Sequence, residues 1–402
     1  MEKRKITFSP PDITEREIAE VVDTLKSGWI TTGPKTKKFE DEIAKYCGTK
    51  KSVALNSATA AMELALRLFD IGEGDEVITS AYTYTASASV VYHCGAKIIL
   101  ADTKKGEFNI DPKEIEKLIT PRTKAIIPVD IAGLPADYTE IFEVVEKKRN
   151  IFNAKKGTYQ EKLGRILVLA DSAHSFGSDY KGKKIGSVAD ITSFSFHAIK
   201  NLTTAEGGAL TWNLPENFDN EEIYKELMLL ALHGQNKDAL AKLKAGAWKY
   251  DIVMPGYKCN MTDIMASIGL VQLQRYDGEI LKKKEELVSY YEKYLGNLTD
   301  KIELPIFKND IKESCKHLYM IRLKNQDEEK RNEVIAKLGE NDIATNVHFQ
   351  PLPLLTAYKR LGFKIEDYPN AYNQYKNEIS LPIHDFLTED DIKSVSYTHL
   401  RA

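Results

Sequence analysis

Three short segments carry residues that could do chemistry. Asn56-Ser57-Ala58-Thr59-Ala60-Ala61 follows a strand-like run and opens a helix, so backbone N–H groups and hydroxyls face a site of positive helix-end potential, which suits a phosphate. Ser and Thr in that place also serve as plain caps. Ala170-Asp171-Ser172-Ala173-His174 sets a carboxylate at the end of an apolar strand, where an unpaired charge is costly and a cationic or N–H partner is wanted. A cap on the next element is the plainer use. Ser193-Phe194-Ser195-Phe196 alternates as a strand, and His197-Ala198-Ile199-Lys200-Asn201 then delivers a lysine into a turn flanked by Thr203, Thr204 and Gly207-Gly208. Such a lysine is either catalytic or simply exposed, as lone lysines usually are.

These segments must be held by a scaffold. Strands predicted at 52–56, 76–80, 97–102, 124–130 and 165–171 alternate with helices at about 58–69, 85–93, 111–119 and 137–149, and two more strands follow at 190–196 and 207–212. That alternation predicts an α/β fold, a mostly parallel sheet covered by helices on both faces, with ligands at the carboxyl ends of the strands. Before it, Thr14 with Glu17 forms a capping box for a helix over 14–27 carrying Ile18, Val21, Val22 and Leu25 at helical spacing, and a second helix with Phe39 and Ile43 ends at Gly48. A long helical stretch at 262–296 leads into a smaller α+β part, with strands at 317–323 and 343–349, a helix at 328–340 and Pro-rich loops. The expected division is a large domain over 1–260 and a C-terminal α+β domain over 261–402. Residues 150–164 break the rhythm as a surface insertion, and 396–402 read as a non-native tail that interrupts an amphipathic pattern.

Composition excludes other classes. The 402 residues are 43% hydrophobic and 29% charged, with 23 Gly and 14 Pro, as in a globular protein with a large core. A net charge of −3 supplies no field for nucleic acid or an anionic membrane. No apolar run approaches a bilayer span, and the first residues lack the apolar stretch of a signal peptide, so a cytoplasmic protein is expected. The 4 cysteines (Cys47, Cys94, Cys259, Cys315) form no CxxC pair, so no metal site or disulfide framework is expected and buried, reduced thiols are.

Phosphate seat, strand-end aspartate and Ser-x-x-x-x-Lys stand in the order of a pyridoxal phosphate (PLP) enzyme of aminotransferase fold type I. In that chemistry the lysine amine forms the Schiff base, the aspartate keeps the pyridine nitrogen protonated and the helix end holds the phosphate. Gly28-Trp29-Ile30-Thr31-Thr32-Gly33-Pro34, Ser195-Phe196-His197-Ala198-Ile199-Lys200-Asn201 with Glu206-Gly207-Gly208, and Pro255-Gly256-Tyr257-Lys258-Cys259-Asn260-Met261-Thr262-Asp263 resemble the DegT/DnrJ/StrS sugar aminotransferase family, over about residues 6–395. Within it the chain looks most like the UDP-4-amino-4-deoxy-L-arabinose oxoglutarate aminotransferase type.

The resemblance implies amination of a nucleotide-linked 4-keto sugar with glutamate as donor and 2-oxoglutarate as its product. It makes Lys200 the Schiff-base lysine, Asp171 the partner of the pyridine nitrogen, His174 a residue near the ring and Tyr84 the stacking aromatic. Phosphate contacts fall to Ala58, Thr59 and Ser195, with Asn260 reaching in from the second subunit of a homodimer. Thr31, Thr32 and His348 fall on the substrate side, although Thr31 and Thr32 equally suit a turn and His348 a structural histidine. Asn56-Ser57-Ala58 departs from the family's Ser-Ser-Gly or Ser-Ser-Ala, which leaves the backbone seat intact. A dehydratase branch has histidine in place of the lysine, and Lys200 speaks against it. A regulator that binds cofactor or sugar without turnover, and an enzyme of free amino acids, are the other readings.

Overall fold

A computed structural model of the chain describes residues 5–236 and 249–398. Seven strands, β1 (Ser52–Leu55), β2 (Glu76–Ser80), β3 (Lys97–Ala101), β4 (Thr123–Ile127), β5 (Leu167–Asp171), β6 (Ile191–Ser195) and β7 (Gly208–Trp212), form one sheet in the order β1-β7-β6-β5-β4-β2-β3. Pairing is parallel from β3 through β6, and only β7 runs against its neighbours. The alternation of helices and strands required this: parallel strands need crossovers, and the crossover helices cover both faces. Period-2 alternation then splits each strand between two cores. Ala125 and Ile127 belong to one buried cluster and Ile126 to the other, and Leu167 and Leu169 separate in the same way from Val168 and Ala170.

Helix α1 (Glu15–Ser27) opens on the expected capping box, Thr14 N–H donating to Glu17 Oε2 at 2.8 Å. Its apolar stripe does not face the core. Ile18, Val22 and Leu25 are exposed, while Glu17 and Thr24 are buried against α2 (Asp263–Arg275). The reason is an ion pair: Glu17 Oε1 accepts from Arg275 Nη1 at 2.7 Å and from Gln272 Nε2 at 2.9 Å, so the polar side turns inward. Helix α2 continues through a wide turn at Tyr276–Leu281 into α3 (Lys282–Leu295), as the long 262–296 helix predicted.

The C-terminal part holds a third buried cluster, built from α3, from Ile6 and from a three-stranded antiparallel sheet, β8 (Ile302–Glu303), β9 (Tyr319–Leu323) and β10 (Glu378–Leu381). The strand expected at 343–349 is not one. Its β-branched and aromatic residues suit extended chain, but Ile343 pairs only with Ile6 and Asn346 only with Ser380, and the rest turns toward the large domain. The third strand is instead β10, which reads as loop in the sequence. Residues 150–164 are more than a surface insertion: the turn Tyr159–Leu163 buries Gln160 and Leu163, and Gln160 Nε2 donates to Phe69 O at 2.9 Å. The tail expected to interrupt the last helix continues it to Thr398, with Val395 and Ser396 buried; 399–402 lie outside the described residues. All four cysteines are free and buried. Among the described residues no helix is long and apolar enough to cross a membrane.

Candidate active site

The carboxyl ends of β1, β5 and β6 meet over a cavity of about 460 Å³, closed on its far side by residues of the C-terminal part. Ala58, Thr59, Tyr84, Asp171, His174, Ser195, Lys200 and His348, all singled out from the sequence, line it together. At one end, Ser57 caps the helix Ala58–Leu68 by accepting from Ala60 N–H at 3.1 Å, which leaves the first turn's remaining N–H groups directed at the cavity mouth. Gly208 packs directly behind this seat. A Cβ there would lie 2.4 Å from the Ser57 carbonyl carbon and 2.5 Å from Ala58 N, so β7 can approach only as glycine.

Asp171 closes β5 and is buried. Its carboxylate accepts from Ser87 Oγ at 2.6 Å and from Ala173 N–H at 3.2 Å. Burial still pushes its pKa up, against those hydrogen bonds and the charge of Lys200. The carboxylate therefore favours a cation placed against it. Lys200 sits on the turn between β6 and β7, which is clamped by Phe196: its N–H donates to Gly207 O at 2.8 Å and its carbonyl accepts from Thr204 N–H at 2.9 Å. The residue is half-buried but its amine is withdrawn from solvent, and burial lowers its pKa to about 8 against the opposing pull of Asp171 and Cys315. A lysine so poised is neutral often enough to act as a nucleophile or a proton carrier.

Four histidines, His174, His197, His317 and His348, complete the wall. His174 Nδ1 lies 3.3 Å from Ala132 N–H and accepts from it; its ring stacks on Phe349 at 5.6 Å and meets His317 at 4.6 Å. Burial and then the charge of Lys200 hold His174 far below the ordinary imidazole range, so it is neutral. His317 contacts Asn201 Oδ1 through Nδ1 at 3.2 Å, and Asn201 Nδ2 donates to Cys315 O at 2.8 Å, tying the lysine turn to the C-terminal part. Tyr84, 62% exposed, presents its ring 5.9 Å from Phe349.

Thr31, Thr32 and Asn260 are not in this cavity. They gather at the outer edge of β1, where Thr32 Oγ1 donates to Met261 O and accepts from Asn260 Nδ2, and Thr31 O accepts from Asp263 N–H at 3.1 Å. Sequence reasoning missed Ser87 and His317. Ser87 gives itself away only as a hydroxyl near a helix start, and His317 by nothing in its spacing.

The model of the DegT/DnrJ/EryC1/StrS aminotransferase family matches residues 11–398. The chain belongs to this family. It is 39% identical over 397 residues to the spore coat polysaccharide biosynthesis protein SpsC of Bacillus subtilis, covering 97% of this chain and 95% of that one. The Streptococcus pneumoniae protein Spr1654, assigned as a sugar aminotransferase and solved in PMP form, is 52% identical with a TM-score of 0.95, over 98% of both chains. Helicobacter pylori PseC, an aminotransferase involved in the biosynthesis of pseudoaminic acid, is 27% identical with a TM-score of 0.85, over 99% of both chains.

These aminotransferases depend on PLP, and the pneumococcal protein has also been solved in a PLP form. The cavity of this family member fits that cofactor on its own terms. It offers a desolvated amine, a buried carboxyl that favours a cation and a helix N-terminus with glycine packed behind it. Lys200 would hold the aldehyde carbon, Asp171 the ring nitrogen, Tyr84 the ring face, and Ala58, Thr59 and Ser195 the phosphate.

Proposed function

We propose that this aminotransferase moves an amino group from glutamate to the keto carbon, C4, of a nucleotide-linked sugar used in building a cell-surface polysaccharide, lipid or glycan. The observation that carries the reading is the meeting of a desolvated Lys200 amine and a buried Asp171 carboxyl in one cavity above a helix N-terminus. The sugar-family motifs, and a relative named for polysaccharide biosynthesis, support a sugar acceptor. When bound, PLP supplies the electron sink that makes the amino-bearing carbon acidic.

The chain's own residues do the rest. Asp171, held by Ser87 and Ala173 N–H, keeps a positive charge on the ring nitrogen and so maintains electron withdrawal. Lys200 Nζ, lowered into the neutral range, would take the proton from the donor's carbon and set it down on the cofactor side within the same half of the cycle. In the sugar half it would move a proton in the reverse sense, onto the sugar carbon. His174, kept neutral, leaves the charge balance between Lys200 and Asp171 undisturbed. We place the enzyme in the cytoplasm as a homodimer in which Asn260 serves the partner's phosphate seat; the exposed apolar stripe of α1 and the position of Asn260 outside its own cavity support this arrangement.

Initial rates test the scheme. With L-glutamate and a 4-keto UDP- or dTDP-sugar, a ping-pong cycle gives parallel double-reciprocal lines. Intersecting lines, or a PMP form that no keto sugar discharges, would overturn it, and binding of both without turnover would reveal a regulator.

A further inference from the structure

His348 lines the cavity, and one of its ring nitrogens begins a hydrogen-bonded chain that ends at a fully buried carboxylate. Nδ1 lies 2.8 Å from Ser380 Oγ, and the Ser380 hydroxyl donates to Glu378 Oε1 at 2.6 Å. The other carboxylate oxygen, Oε2, accepts from the His348 backbone N–H at 2.9 Å. Two backbone hydrogen bonds between Asn346 and Ser380, at 3.1 and 2.8 Å, lock the loop to β10 and fix this geometry. Nε2 has no hydrogen bond among the described residues, which leaves it for a guest in the cavity.

Ser380 has a single hydroxyl proton. While it is given to an ionised Glu378, its oxygen can only accept from His348 Nδ1–H, and Nε2 then carries a lone pair. We propose that this chain carries a proton from the cavity to Glu378: a bound group donates to His348 Nε2, Nδ1 passes its proton to Ser380 Oγ, and Ser380 passes its own to Glu378 Oε1. Three N–H or O–H bonds form and three break, the carboxylate becomes a carboxylic acid, the imidazole ends neutral in its other tautomer, and nothing is oxidised or reduced. The source of the proton rests on the aminotransferase reading: a donor amine enters as an ammonium and must shed one proton before its nitrogen can attack.

The energetics favour that direction. Burial, and then the charge of Lys200, lower His348 to about 4, so a lasting imidazolium is disfavoured. Burial raises Glu378 to about 8, even against the hydrogen bonds from Ser380 and His348 N–H and the nearby Arg331. The charged and titratable groups facing the pair are Arg331, whose guanidinium donates to Glu378 O at 3.2 Å, Tyr82, whose hydroxyl donates to His348 O at 2.6 Å, and, from the cavity, Lys200, His174 and His317. None of them interrupts the chain.

Infrared and Raman difference spectra of the PLP-loaded enzyme test the chain without any substrate. Lowering the pH should raise a carboxylic-acid band, absent from Glu378→Gln, and the imidazole tautomer marker should change in step with it. In Ser380→Ala the two changes should separate, and Ser380→Thr should rejoin them. A carboxyl band that titrates in the wild type without any change in tautomer overturns the proposal, as does the absence of the band. Added L-glutamate, above the pH at which the carboxyl ionises, should raise the same band, and Ser380→Ala should slow the glutamate half-reaction about 100-fold. An enzyme that passes the pH test but never reacts with L-glutamate would disprove the function and leave the relay standing.

Discussion

The two walls of the cavity hold their charged groups in different ways. On the large-domain wall, Asp171, Lys200 and the phosphate seat each sit where one strand ends, and their immediate partners, Ser57, Ala173 N–H and the Phe196 clamp, lie within a few residues in the chain. Ser87 and, behind the seat, Gly208 come from afar. On the C-terminal wall, His348 is held by Ser380 and Glu378 some thirty positions later, and His317 by Asn201 more than a hundred positions earlier. The first wall is built where strands of the sheet end, at a strand-to-helix transition after β1 and at turns after β5 and β6. The second exists only after two parts of the chain have packed together.

Substitutions on the first wall should have the largest effects. Lys200→Ala removes the amine proposed to attach the cofactor and to move the proton, and turnover should fall by about 10³-fold or more. Borohydride reduction and peptide mapping would label Lys200 in the wild type and no lysine in the variant; a label elsewhere breaks the assignment. Asp171→Asn should cost roughly 10²-fold or more in rate while some cofactor stays bound. Its effect on stability should reverse with cofactor. Burial raises the Asp171 pKa, so in the cofactor-free protein the folded state binds the proton more tightly than the unfolded chain, and stability is lost as pH rises from the ordinary carboxylate range through the raised value. Asp171→Asn should flatten that loss in the cofactor-free protein and lower the melting temperature of the loaded one. The same shift in both forms would deny that the carboxyl pairs with a cationic ring.

This contrast also explains what could be read in advance. The sheet was legible because apolar strands of four or five residues alternate with capped helices, Asp111 followed by Pro112 being one case, and chemistry at strand ends follows from that rhythm. The C-terminal wall was not: β10 has a polar, charged start at Glu378, and residues 343–349 look more like a strand than the real one does. Periodicity failed at α1 for a related reason. The stripe Ile18, Val22, Leu25 is a good apolar face, but a buried Glu17–Arg275 pair decided which side turns inward. Long-range polar pairing leaves no periodic mark.

A smaller effect is expected behind the seat. Gly208→Ala places a methyl against the Ser57 and Ala58 backbone and the Phe194 carbonyl, none of which can swing aside as a flexible side chain would. The variant should lose about 1–3 kcal/mol by urea unfolding and retain PLP less well on dialysis. Normal retention with lowered stability would show that the seat tolerates displacement of β7.

The smallest effect on folding should come from α1. Val22 is exposed and lies on the face that the Glu17–Arg275 pair turned outward, so Val22→Asp should change the stability of the folded chain by no more than about 0.5 kcal/mol. If that face, with Ile18 and Leu25, packs against a second copy, the added carboxylate is desolvated in the dimer and hydrated in the monomer, and burying an unpaired charge costs far more than the apolar contact it replaces. Sedimentation should then show dissociation at concentrations where the wild type is paired, and PLP should be lost on dilution as the partner's Asn260 leaves the phosphate seat. A dimer of unchanged strength would separate the two proposals: the outward face of α1 would be ordinary surface, and the contribution of Asn260 across subunits would have to rest on another contact.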